Sequence, residues 1–311
     1  MISRGRIGRV CCILALWGLF FGVGVCHALE VAFSAPEKVR LGEPFVVSVS
    51  IDGEADRSTL SWRGKNIPLD LREGEDGVLT GRAVLGTDSM GKTAKGEVLK
   101  IWVASRGTTY LSKWPIDIVA KDYPSEKLSV DPAMVTPPSS ARERIARERR
   151  MVREALGRVS KEALWELPMV RPVPGAVTSL YGKRRVYNGV LKGRHGGVDY
   201  RAANGTPAKA AASGEVILTG DHYYAGKSVY IDHGGTLISM YFHLSRIDVK
   251  AGQVVSAGDV IGLTGSTGRV TGPHLHFGVA QGGRMVDPAP LIELSLDEMS
   301  EANSQGRMVF K

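Results

Sequence analysis

Beyond position 26 the chain contains no cysteine: Cys11, Cys12 and Cys26 are all it has among 311 residues. No disulfide framework can staple the body of the protein, which must rely on cores that a chain of this length is able to bury. Long hydrophobic runs are equally scarce. The run Val10 to Val25 falls short of the about 20 apolar residues that a membrane-spanning helix needs. Arg4, Arg6 and Arg9 precede it and Cys26-His27-Ala28 follows, the order of a secretory signal peptide over residues 1–28. A retained membrane anchor is the alternative. Cys26 also raises a lipoprotein reading, against which the bulk of Val25 counts. No nucleic-acid-binding motif is present either. Lys and Arg exceed Asp and Glu by a formal +8, or about +5 without the three signal arginines. An exported basic protein suits an anionic polymer other than nucleic acid.

A further absence concerns chemistry. The helical H-E-x-x-H element, with its glutamate base, occurs nowhere. What is present instead is R-H-G-G-V-D, with His195 and Asp199, and G-P-H-L-H-F-G-V, with His274 and His276. Side chains alternate faces along a strand, so His274 and His276 point the same way. His195 and Asp199 are an even number of residues apart, and Gly196-Gly197 between them favours extended or turning backbone over helix. Two imidazoles and a carboxylate leave the fourth tetrahedral position of zinc open to water, which is the composition of a catalytic site and not of a closed structural one. His243 in Y-F-H-L adds another imidazole, so two histidines are left over for acid/base work. Spacing alone does not choose between His274 and His276 as the ligand. Copper or cobalt would suit the same donors by intrinsic affinity.

His222 lies in a loop beside Tyr223 and Tyr224 and reads as a surface residue, although the tyrosines would suit a peptide groove. His233 precedes a Gly-Gly pair and reads as a turn cap.

Over residues 170–290 the chain resembles the lysostaphin-type zinc metalloendopeptidases, which cut peptide bonds in bacterial peptidoglycan. The resemblance rests on the H-x-x-x-D element at His195 and Asp199, Y-x-H-L at Tyr241 to Leu244, H-x-H at His274 to His276, and the glycines of T-G-S-T-G-R-V-T-G-P-H. It implies zinc held by His195, Asp199 and His276, with His243 and His274 as the unligated catalytic pair. A zinc-bound water would be the nucleophile, His274 the general base, and His243 the group that orients the water or stabilises the oxyanion. Expected partners are peptidoglycan peptide stems, with a protein regulator as a further one; the membrane enters only if the signal segment is retained. The expected location is the periplasm or cell envelope. Family members without zinc ligands act by binding, so a non-catalytic wall-binding or regulatory protein is the rival reading. The layout favours a cross-link of Gram-negative type over a glycine bridge.

Short Val-, Ile-, Leu- and Tyr-rich segments, Gly214 to Thr219, Ser228 to Asp232, Leu237 to His243 and Val260 to Leu263, are separated by glycine clusters. They predict a mainly β fold: an antiparallel β catalytic domain of hybrid-barrel or sandwich type over 171–291. The stretch Val249 to Gly262 resembles half of a lipoyl carrier, but no lysine sits at a hairpin tip. Strands at Phe45 to Asp52, Leu99 to Ser105 and Tyr110 to Ala120 predict an immunoglobulin-like β accessory domain over 29–122. Residues 123–170 read as a proline-punctuated linker that cannot continue a strand, then one amphipathic helix from Ala141 to about Leu167. Ser140 and Glu143 form its capping box, and Ile145, Val152, Leu156, Val159 and Ala163 its apolar side. This helix, or the linker before it, is a candidate cover for the cleft. Residues 292–311 are expected to be a tail.

Overall fold

A computed structural model describes residues 29–301 and 303–310; the expected signal segment lies outside the described residues. The first domain consists of two five-stranded sheets around one core. Strand Pro44–Asp52 shows how alternation builds it. Val47, Val49 and Ile51 enter the core between the sheets, beside Trp62, Leu99, Ile101 and Ile116. Val46, on the other face, is also fully buried, because with Val84 it packs into the core of the following domain. One strand thus faces two cores, which joins the two domains through apolar contact.

The end of the chain differs from the expected tail. Asn303–Phe310 is a strand, paired antiparallel along the whole of Leu29–Pro36, so it forms the edge of the first domain's sheet. The segment is mostly polar, and only Met308 and Phe310 turn apolar side chains towards the core. A half-buried edge strand of that composition carries little periodic signal.

The linker also differs. Ser125–Leu128 is a strand, paired parallel with Arg184–Tyr187. Pro124 and Pro132 lie outside it, so the residues between keep their ladder donors. The helix spans Arg142–Leu156 and is shorter than predicted. A single turn of 3₁₀-helix, Ser139–Ala141, precedes it, and Ala141 occupies the N-cap with no side-chain hydrogen bond, so the Ser140–Glu143 capping box does not form. Gly157 ends the helix. The chain is then drawn inward: Leu164 N–H donates to the His233 carbonyl, Met169 N–H to that of Leu291, and Trp165 and Met169 join the core of the second domain. Val159, outside the helix, is exposed. The helix's apolar side is narrower than expected: Ile145 is buried, while Val152 and Leu156 pack against Tyr230, Ile238, Met240 and Ala280.

The second domain is a ten-stranded sheet. Its centre is the long strand Leu237–Ile247, which pairs antiparallel with Gly226–Asp232 on one side and His274–Gln281 on the other, and at its far end with Val260–Thr264. Gly197–Arg201 extends the sheet beyond His274–Gln281. The four predicted strand segments of this domain all lie within observed strands. Fully buried Tyr241, Phe277, Val229 and Ile231 fix the register of the central strands.

Candidate active site

Register brings the motif residues together. Asp199 stands directly opposite His276, and Arg201 opposite His274, on the Gly197–Arg201 and His274–Gln281 strands. His195 lies just before the first of these strands, in the non-regular backbone that Gly196 permits. His195 Nε2, Asp199 Oδ1 and His276 Nδ1 converge: 2.9 Å between His195 and Asp199, 2.8 Å between His276 and Asp199, and 3.0 Å between the two imidazoles. All three residues are buried.

Whether this trio fits a metal follows from its protons. His195 Nδ1 lies 2.8 Å from the Leu180 carbonyl, which can only accept, so Nδ1 bears the proton of the neutral ring. Nε2 then presents a lone pair to a carboxylate oxygen. Two acceptors at that distance repel one another unless a cation accompanies them, and two imidazole nitrogens with one carboxylate oxygen are a donor set for zinc or a neighbouring transition metal. Among the described residues, His195, Asp199 and His276 form the group able to hold a metal ion. Burial by itself would push the Asp199 carboxyl up; where the imidazoles are protonated instead of metal-bound, their hydrogen bonds and charge outweigh burial and hold the group far below the usual carboxylate range. Burial pushes His276 down to about 4, against the opposing pull of Asp199.

The outer oxygen of Asp199 has a partner that sequence reasoning missed. Arg185 is buried, and its guanidinium donates to Asp199 Oδ2 at 2.8 Å and to Ser179 Oγ at 3.3 Å, while pairing with Glu126 at 2.6 Å. One face of the carboxylate is thereby held so that Oδ1 meets the imidazoles, as second-layer partners commonly orient metal ligands. Glu126 comes from the short linker strand and also receives Lys183 and Ser179. In sequence Arg185 is one of a Lys-Arg-Arg run that looks like a solvated surface; in the fold it is buried between Glu126 of the linker strand and Asp199.

The remaining imidazoles share one orientation device. His274 Nδ1 lies 2.8 Å from the Gly272 carbonyl, and His243 Nδ1 2.8 Å from that of Thr267. Each Nε2 is left with a lone pair, and that of His274 lies 3.8 Å from Asp199 Oδ1. The two rings are 4.9 Å apart. His243 reaches this face by breaking the strand's alternation. Phe242 is opposite His276 and stacks on it at 5.1 Å, so regular pleating would turn His243 away. Instead the ladder slips between Lys227 and Val229, and His243 adopts φ +65°, a left-handed conformation uncommon for a non-glycine residue. A bulge of this kind re-aims a side chain. Burial, reinforced by His274 and His276, pushes His243 down to about 3.

The other two histidines do not join the site. His222 is buried and not at the surface, with Nδ1 2.7 Å from Ser228 Oγ and its ring edge against Tyr230. His233 is fully buried and is more than a turn cap: its ring nitrogens meet the Ser213 carbonyl at 2.8 Å and Ser239 Oγ at 2.7 Å. Tyr224 does line the cleft, a cavity of about 680 Å³ that also meets His243, His274, His276 and Arg269. Part of its wall is linker and helix: Glu126, Leu128, Val152 and Leu156.

Fold and site together define a class, a β domain with a buried two-histidine, one-aspartate centre at the base of a cleft and two further imidazoles beside it. Residues 193–288 match the family model described as Peptidase family M23. A crystal structure of a peptidase M23 from Pseudomonas aeruginosa is similar over 79% of this chain and 92% of that one, with 32% identity and a TM-score of 0.59. The chain belongs to peptidase family M23. It is 50% identical over 93 residues to the peptidoglycan DD-endopeptidase ShyA of Vibrio cholerae, a match covering 30% of this chain and 22% of that one. Lysostaphin of Staphylococcus simulans is 44% identical over 91 residues, 29% of this chain and 18% of that one. The chain thus spans about a fifth of the length of these curated relatives.

Proposed function

We propose that this protein is a zinc-dependent endopeptidase that hydrolyses peptide cross-links of bacterial peptidoglycan. The observation that carries the reading is the convergence of His195 Nε2, Asp199 Oδ1 and His276 Nδ1 within 3.0 Å of one another, beside two imidazoles whose Nε2 lone pairs are free. His195, Asp199 and His276 would hold the zinc ion, which when bound supplies Lewis acidity to polarise a carbonyl and acidify water.

The chain's own residues supply the rest. His274, tied at Nδ1 to Gly272, accepts the proton of the attacking water at Nε2 and later returns it to the leaving amine. His243, tied at Nδ1 to Thr267, accepts a hydrogen bond from the same water at Nε2 and so orients it. As a neutral ring with its proton on Nδ1, it serves this role better than that of oxyanion donor, which needs a proton on Nε2. Phe242 stacked on His276 excludes solvent from one side of the trio. The relatives' substrate, the basic balance of the chain and the signal-like first 28 residues all support cell-wall peptide as the substrate and a site of action outside the cytoplasm. A purely binding, regulatory role is disfavoured because all five site residues are present and assembled.

Digestion of purified cross-linked peptidoglycan, with fragments read by mass spectrometry, tests the proposal. Metal-dependent loss of cross-linked dimers, abolished by chelator and by His274→Ala, is the expected result. An intact wall after incubation with metal-loaded protein would contradict it, and the masses of the fragments identify the bond.

A further inference from the structure

A second cavity, of about 580 Å³, adjoins the catalytic cleft and shares Tyr224 and Arg269 with it. Its polar lining is otherwise dominated by Arg142, Arg149 and Lys192, and no aspartate or glutamate contributes to it. Among the described residues, none of these four cations makes an ion pair with a carboxylate. Like charges gathered without counter-charges raise a local positive potential, which favours an anionic occupant.

Arg269 gives this pocket a specific donor. Its guanidinium lies 4.3 Å from the ring centre of Tyr187 and 4.7 Å from that of Tyr224. Its backbone N–H is bound to the Tyr224 carbonyl at 2.9 Å. Two aromatic contacts and an anchored backbone restrict the side chain before any ligand arrives, while among the described residues the fork of N–H groups in the guanidinium plane has no hydrogen-bond partner. A planar fork held in this way matches a carboxylate bidentately, which a lysine ammonium cannot do. The loop carrying Tyr224 is itself fixed by the helix, since Tyr223 N–H donates to Glu148 at 2.8 Å.

We propose that this basic pocket is a subsite for the carboxylate-bearing arm of the peptide substrate, and that Arg269, at the junction of the two cavities, determines specificity for it. The proposal rests on reading the cleft as a peptidase site. Cell-wall peptides fit it because they carry free carboxylates close to the cross-link. Arg269 would grip the one nearest the scissile bond, and Arg142, Arg149 and Lys192 would draw in the remainder of the arm.

The test uses two synthetic cross-linked peptides, one with free carboxylates and one with them amidated. The full chain, Arg269→Gln, Arg269→Lys and Arg149→Gln are compared for kcat and KM, with circular dichroism as the check on folding. The wild type is expected to favour the free-acid peptide at least tenfold in kcat/KM, mostly through KM. Arg269→Gln should bring that ratio close to one, Arg269→Lys should restore it only in part, and Arg149→Gln, on the exposed helix, should lower it severalfold and make it less sensitive to salt. Equal cleavage of both peptides by the wild type, or an undiminished preference in Arg269→Gln, would overturn the proposal. Should the wild type cut neither peptide, the hydrolase reading fails by itself. Calorimetric binding then decides the subsite: tighter binding of the free-acid peptide, weakened in Arg269→Gln, supports it, and equal binding of the two peptides overturns it.

Discussion

Asp199 and His276 face each other across neighbouring antiparallel strands, with Asp199 Oδ1 2.8 Å from His276 Nδ1, and His195 closes the same triangle from the non-regular backbone before the strand. The sheet's register therefore sets the donor geometry of the centre, and changes that leave the register intact should separate metal binding from catalysis.

Arg185 holds the outer oxygen of Asp199. Arg185→Met should weaken zinc binding by about 10- to 100-fold, the usual cost of losing an outer-layer partner. Leaving Asp199 and Glu126 without their buried cation should also lower stability by about 3 kcal/mol in the metal-free protein. Competition with a chelating dye and denaturant unfolding measure the two effects; unchanged zinc affinity would remove Arg185 from the account.

His243 adopts a left-handed backbone conformation at a bulge. Asparagine tolerates that conformation, so His243→Asn should fold with a nearly unchanged melting midpoint and bind zinc normally. Its kcat should fall by at least about 100-fold, the scale of a lost acid/base or orienting imidazole. Near-normal turnover would show that the bulge serves packing alone.

His233 offers a test of pH dependence away from the metal centre. Burial pushes its ring down to about 4 from the ordinary 6.5. As the pH falls the unfolded chain takes up this proton first, so the neutral ring's contribution is complete above about pH 6.5 and is lost as the pH drops towards 4. The loss amounts to on the order of 3 kcal/mol. Unfolding followed between pH 7 and pH 4 should show a steeper decline in the wild type than in His233→Gln, and parallel curves would contradict the assignment.

The helix Arg142–Leu156 contributes Val152 and Leu156 to the cleft wall and packs them on Tyr230 and Met240. If it restrains access, Leu156→Asp should raise the rate on intact cross-linked wall severalfold and leave the rate on a small soluble peptide the same. A chain beginning at Arg171 is a poor test, because it lacks Trp165 and Met169, both buried in the core. Deleting either large side chain costs about 2–5 kcal/mol, so that truncation is expected to be unstable in thermal unfolding.

Much of the site was legible in the sequence because strand alternation is a strong rule. It put His274 and His276 on one face and left His195 and Asp199 free to meet them. The proposed choice of His276 over His274 came from family resemblance; in the structure His276 Nδ1 lies 2.8 Å from Asp199 Oδ1 and His274 Nε2 3.8 Å. The same rule would have excluded His243, which joins the site only through a bulge that no local residue pattern announces. Arg185 was hidden because burial by a distant linker strand has no signature in a Lys-Arg-Arg run. The helix was overextended because Val159 and Ala163 continue its spacing beyond Gly157, where tertiary contacts of Trp165 and Met169 take over. Asn303–Phe310 was missed because an edge strand needs few apolar residues.

The most direct test of the division between ligands and base is the zinc content of purified wild-type, Asp199→Ala and His274→Ala proteins, measured by elemental analysis after equal exposure to metal. One zinc per chain is expected in the wild type and in His274→Ala, with activity only in the former, and almost none in Asp199→Ala. Equal zinc in wild type and Asp199→Ala, or loss of zinc in His274→Ala, would contradict it.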